Sequence, residues 1–154
     1  MEVNPGEKNP GGPKEFKPFR SFQIRWDEKL YYEDDPYLRR WTFTFFGYSL
    51  RIHRWYRSDD KRYFHDHPWD FLTVMLWGTY DNVTAEGRKT YRPGHFSFVK
   101  AEAQHYVEVP KGWGALTLLL AAPPRKKWGY YVNGKLWRPL RYYHKFGHPP
   151  RGEQ

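Results

Sequence analysis

Cysteine is absent from all 154 residues, which excludes disulfides and thiolate metal ligands outright. That absence suits a reducing compartment, and a cytoplasmic location is the expectation. No apolar run approaches the ~20 residues that a membrane-spanning helix needs; the longest extends only from Ala115 to Ala122. The N-terminus is polar and rich in proline and glycine, so no secretory signal is read there and no membrane partner is expected. Helical stripes longer than a turn or two are missing. So are heptads and repeats of tens of residues, which excludes coiled coils and solenoids.

What is present is aromatic and basic. Aromatic residues make up 21% of the chain and the formal net charge is +9, a balance that favours anionic partners: a small phosphorylated or carboxylated molecule, nucleic acid, or an acidic protein. The length suits one domain. Residues 1–18 carry Pro5, Pro10, Pro13 and Pro18 with Gly6, Gly11 and Gly12, and read as a flexible arm. Residues 19–148 read as a single β domain with a basic tail running on to Gln154.

Within that domain, Phe22, Ile24 and Trp26 alternate with polar residues, as a half-buried strand does. Trp41 to Phe46 and Tyr48 to His53 follow, joined at Gly47, with Tyr48, Leu50 and Ile52 on one face of the second run. Ser58-Asp59-Asp60-Lys61 has the composition of a turn. Phe71 to Trp77 is apolar on both faces, as a covered strand would be, and Gly78 ends it. Tyr80 to Tyr91 reads as a hairpin bending near Glu86-Gly87, and Arg92-Pro93-Gly94 as a turn. Further strands are expected at Phe96 to Val99, His105 to Val109 and Ala115 to Ala122, and a hairpin about Asn133-Gly134. Many short strands at regular spacing point to an all-β sandwich or barrel.

The chemistry concentrates in Tyr63-Phe64-His65-Asp66-His67-Pro68-Trp69-Asp70. Residues two apart on a strand project from one face, so His65 and His67 can converge on a shared ion, with His105 as a third ligand from another strand. His95 follows a Pro-Gly turn and reads as a surface residue; His53, His144 and His148 lack such support.

This pattern resembles the cupin superfamily, small jelly-roll barrels with a metal site in the lumen. His65 and His67 match the histidine pair of the first cupin motif and Gly78 its glycine; Pro93-Gly94 and His105 match the second. The motif's glutamate slot falls on Phe71, while Asp70 stands one position earlier and could reach the ion through a bulge near Pro68. Glu102 replaces the second motif's glycine and Val109 its asparagine. Ser58-Asp59-Asp60, His65 to Phe71 and Trp128-Gly129-Tyr130 also look like small cupin-like proteins of bacterial and phage genomes. The resemblance implies a cupin-type jelly-roll barrel and a divalent metal (Fe(II) first, with Zn, Mn or Ni as alternatives) on His65, His67, His105 and Asp70. The same three histidines are the catalytic candidates.

Open positions on such an ion suit an Fe(II) dioxygenase acting on a small anionic molecule, with Arg62, Tyr63, Trp69 and Arg92 as substrate-binding candidates. Two other readings are weighed. One is a metal-independent sugar-nucleotide ketoisomerase using Arg62, His65 and His67 as acid and base. The other is a non-enzymatic basic jelly roll whose interleaved rings and cations from Trp137 to Lys145 bind nucleic acid, or which serves a phage-related protein partner. A homodimer is also allowed for.

Overall fold

The computed structural model describes residues 22–32, 35–112 and 114–149, so the expected arm at 1–18 lies outside the described residues. The elements are almost all strands: β1 (Gln23–Tyr32), β2 (Asp35–Phe45), β3 (Tyr48–Trp55), β4 (Phe71–Gly78), β5 (Tyr80–Thr84), β6 (Gly87–Tyr91), β7 (Phe96–Val99), β8 (Tyr106–Glu108), β9 (Ala115–Ala121), β10 (Tyr130–Val132) and β11 (Lys135–Trp137). A two-turn helix, α1 (Pro139–Phe146), closes the series. No helix among the described residues is long and apolar enough to cross a membrane.

A six-stranded sheet runs β1-β2-β3-β9-β4-β7, a three-stranded sheet runs β6-β5-β8, and β10-β11 forms a hairpin. All of the pairings are antiparallel. Ladder bonds do not join these sheets into a closed barrel among the described residues, so the jelly roll is a sandwich of opposed sheets. Its core lies between them: Met75 of β4 and Ala115 of β9 pack with Tyr80, Tyr91 and Val107 of the smaller sheet.

Turn chemistry sets the register. Asn133 and Gly134 both take positive φ, as the tight turn between β10 and β11 requires. Gly78 ends β4 at φ 75°, where a Cβ would stand 1.9 Å from the Gly114 carbonyl oxygen; only glycine fits there.

The alternation in the first strands holds, but its sense is inverted. Phe22, Ile24, Phe43 and Leu50 are exposed, whereas Thr42, Ser49 and His53 are buried. Periodicity marks two faces without saying which one turns inward. Here the polar face lines the interior, and the apolar face is the outside of the large sheet.

The stretch from Trp137 to Lys145 is also different from the expected tail. Pro139 begins α1, where its missing N–H costs nothing, and Gly147 ends it with its N–H 2.9 Å from the Tyr143 carbonyl. Tyr142 is fully buried against Tyr130, with ring centroids 4.1 Å apart, and Trp137, Tyr143 and Phe146 pack on the same cluster. The rings that were to stack on bases are core residues, which leaves Arg141, His144 and Lys145 exposed beside them.

Candidate metal centre

His65 and His67 lie on the connection between β3 and β4, which pairs at one point only. His65 exchanges backbone hydrogen bonds of 3.0 Å with His105 and bridges to Tyr130 on its other side. The His67 amide bonds the Ala101 carbonyl at 3.0 Å. His105 immediately precedes β8. The three rings form a near-equilateral triangle, with centroids 5.2, 5.0 and 5.0 Å apart. One ligand-capable atom from each lies within 4.8 Å of the others, and Nε2 of His67 is 2.7 Å from Nε2 of His105.

The surroundings prepare these nitrogens for a cation. Nδ1 of His105 donates to Oδ1 of Asn82, which leaves the Nε2 lone pair facing His67. Nδ1 of His65 is buried with no hydrogen-bond partner, a costly state for a polar atom in the bare protein. Burial pushes His65 down to about 4, against the pull of Asp66 and Asp60. Burial and the neighbouring His65 push His105 down to about 3. His67 is held well below the ordinary range by burial, then by His105 and His65. All three are therefore neutral at pH 7, the protonation state of a metal ligand. Neutral, convergent nitrogens with one lone pair otherwise unused fit a divalent ion.

Asp70 does not join them. Its carboxylate accepts from the Ala101 amide at 2.7 Å and from Arg125 at 2.8 Å. That guanidinium, helped by the amide, holds Asp70 below the usual carboxylate range. Arg125 and the Ala101 amide hold it away from the histidines.

Of the substrate-binding candidates, only Trp69 reaches the site, its ring 6.2 Å from that of His67. Arg62 instead bonds Asp60 and accepts no site role: it caps the carbonyls of Phe146 and Gly147 at the end of α1, at 2.8 and 2.7 Å. Tyr63 packs on Tyr142 and Phe146, in the aromatic cluster under α1. Arg92 is exposed in the turn before β7. His95 corrects the surface reading: it is half-buried, its ring tilted against that of Tyr91 with centroids 4.0 Å apart.

Two features were not anticipated. Asn82 arrives from β5 through its pairing with β8, and no local pattern marks it. Ser58, Asp59 and Asp60, expected as a turn, are all buried. Asp59 accepts from the Val107 amide at 2.7 Å and from the Tyr37 hydroxyl, and lies 3.9 Å from Nε2 of His65. Burial raises its affinity for a proton. Asp60 accepts from the Tyr142 hydroxyl at 2.9 Å.

No family model and no curated protein matches this sequence. Solved structures do. The polyketide cyclase RemF from Streptomyces resistomycificus aligns over 71% of this chain and 79% of its own, with TM-score 0.55 and 15% identity. A structure of HppE in its Fe(II) form aligns over 78% and 62%, with TM-score 0.53 and 13% identity. A sugar phosphate isomerase of the cupin superfamily from Silicibacter pomeroyi aligns over 71% and 77%, with TM-score 0.48 and 13% identity. The chain shares its fold with RemF and HppE, the cupin-like fold that the sequence pattern implied. In this fold the first motif's glutamate slot holds Phe71, whose ring lies 4.9 Å from His67 and closes that side of the triad with carbon.

Proposed function

We propose that this cupin holds one divalent metal ion on His65, His67 and His105, and that it is an Fe(II)-type oxygenase of a small anionic molecule. The observation that carries the reading is the triad itself: three neutral imidazoles, two buried and one half-buried, each with a nitrogen converging on the others and with no fourth protein ligand among the described residues. An ion held this way supplies open coordination positions for a substrate and dioxygen. The protein's own part is to orient His105 through Asn82, to keep the imidazoles unprotonated by burial, and to exclude water with Trp69 and Phe71. The ketoisomerase reading needs Arg62 beside the histidines, and Arg62 is engaged with Asp60 and the end of α1.

Metal analysis of untagged protein purified from iron-supplemented cells tests this. About one equivalent of iron is expected, lost in His65→Ala and in His105→Ala and kept in His144→Ala, whose residue is exposed on α1. Asn82→Ala should weaken metal affinity by about 10–100-fold while leaving the ligands in place. Protein that stays metal-free, or that keeps its metal without His65 and His105, would refute the reading.

A further inference from the structure

The inward polar face of β2 and β3 carries more positive charge than its fold can use. Arg51 and Thr42 are direct cross-strand partners, and His53 follows two positions along β3. The Arg51 Nε bonds Ser49 Oγ at 2.9 Å, and its guanidinium stacks over Trp69 at 4.1 Å. No carboxylate lies against it among the described residues. The nearby acidic group, Glu28, is already shared by Arg40 at 2.9 Å and Arg25 at 3.3 Å. Burial, then Arg40, pushes Arg51 down to about 9, the mark of a cation without a counter-ion.

Three further polar atoms on this wall are buried without a hydrogen-bond partner: Thr42 Oγ1, His53 Nε2 and Trp69 Nε1. Thr42 is 3% exposed and His53 8%. Buried polar groups are paired in folded proteins, so several orphans around one uncompensated guanidinium call for a ligand that satisfies them together. The Trp69 indole stands between Arg51 and His67, which ties this wall to the triad.

We propose that Arg51, Thr42, His53 and Trp69 form an anion subsite that holds the carboxylate of the substrate beside the metal. This rests on the metal-centred function proposed above for its purpose, though not for its geometry. One half-buried guanidinium balances one negative charge, and its planar fork matches a carboxylate. A phosphate dianion would leave a second charge uncompensated in a dry site.

The test is calorimetric titration of the full chain, metal-free and Zn2+-loaded, with pyruvate, benzoate, benzamide and inorganic phosphate. One or both carboxylates should bind, and benzamide should not. Arg51→Gln should weaken the carboxylate at least about tenfold, while Zn2+ affinity stays within about twofold. Thr42→Val, which preserves shape, should weaken it several-fold and decides the matter if Arg51→Gln does not fold. Unchanged carboxylate affinity in these variants, no carboxylate binding by folded wild type, or a preference for phosphate overturns the subsite. Arg51-dependent carboxylate binding in protein that takes up no Zn2+ would sustain the subsite and refute the metal reading instead.

A separate observation concerns the outside of the large sheet. The registers align Ile24, Phe43, Leu50, Leu120, Leu72 and Phe98 in one row across all six strands, each 37–64% exposed. A second row runs from Trp41 through Ile52 to Phe96, and Phe45, Phe46 and Tyr48 line a dish at one end. At ~200 Å2 for each large side chain, about half of it open, this face presents on the order of 1,000 Å2 of apolar surface. Monomers rarely expose more than a few hundred, and a stable interface needs about 800 Å2 per partner. We infer that the occupant is a second copy, packed sheet against sheet about a twofold axis, because the exposed apolar area matches what each partner of a stable dimer buries. Sedimentation of the full chain should show a dimer. Leu50→Lys with Leu120→Glu should give a folded monomer, and Leu140→Lys on α1 should leave the dimer intact. A wild-type monomer at high micromolar concentration overturns the inference.

Discussion

Asp66→Ala is expected to remove about 3–5 kcal/mol of stability, the cost of leaving a buried charge network without one partner. Its carboxylate is fully buried and accepts from the Gly129 amide at 2.9 Å, the Tyr131 hydroxyl at 2.8 Å and Lys126. Those groups belong to the segment entering β10 and to the strand itself, whereas Asp66 sits between His65 and His67. Removing it strands a half-buried ammonium and an inward amide, and it unties the histidine connection from the hairpin that flanks it. Against a total stability of 5–15 kcal/mol typical of domains, such a loss lowers the melting temperature by roughly 10 °C. Lys127→Ala, one residue along from Lys126 but exposed, should change it by less than about 0.5 kcal/mol. Thermal unfolding followed by circular dichroism measures both. Equal melting of Asp66→Ala and wild type would show that the carboxylate is not the tie described.

How far such a network can be read from the chain depends on where its partners come from. The histidines were legible because two of them stand two apart and the third opens another strand, so the pattern survives even though the connection is not a regular strand. His65 bridges on both sides and the His67 amide bonds the Ala101 carbonyl, and together these bring the rings to one place. Asp66 and the Ser58-Asp59-Asp60 run were not legible. A buried carboxylate cluster has the composition of a turn, and what distinguishes it is Tyr37, Val107 and Tyr142, which lie 22, 48 and 82 residues away from the acids they bond. The strands themselves followed from alternation and from turn pairs such as Asn133-Gly134. Which face of them points inward did not, because a row of Leu and Phe reads alike whether it covers a core or awaits another molecule. The two-turn helix escaped for a local reason: eight residues hold too few periods to stand out, and its interleaved rings and cations matched a nucleic-acid-binding tail instead.

Acidification should begin to destabilise this protein near pH 6.5, well before its carboxylates titrate. Four imidazoles, His53, His65, His67 and His105, are neutral, each held below the ordinary 6.5 chiefly by desolvation. In the unfolded chain they regain that ordinary value, so below it the unfolded state binds more protons than the folded one and stability falls as pH falls. The loss begins near pH 6.5 and continues down to the folded values, about 4 for His65 and about 3 for His105. Each imidazole contributes up to about 1.4 kcal/mol per pH unit, so the four together reach about 5 kcal/mol per unit, enough to exhaust an ordinary domain's stability by roughly pH 5 to 4. Asp59 works in the opposite sense, since its raised folded value favours the native state as protons are added, but it is one group against four. Bound metal would steepen the same trend, because protons and the ion compete for the same lone pairs. Urea unfolding of metal-free protein at pH 8, 7, 6 and 5 measures the slope. His53→Gln, which lies outside the triad, should flatten it by about a quarter; equal stability at pH 7 and pH 5 would mean that these rings are already protonated or exposed in the folded protein.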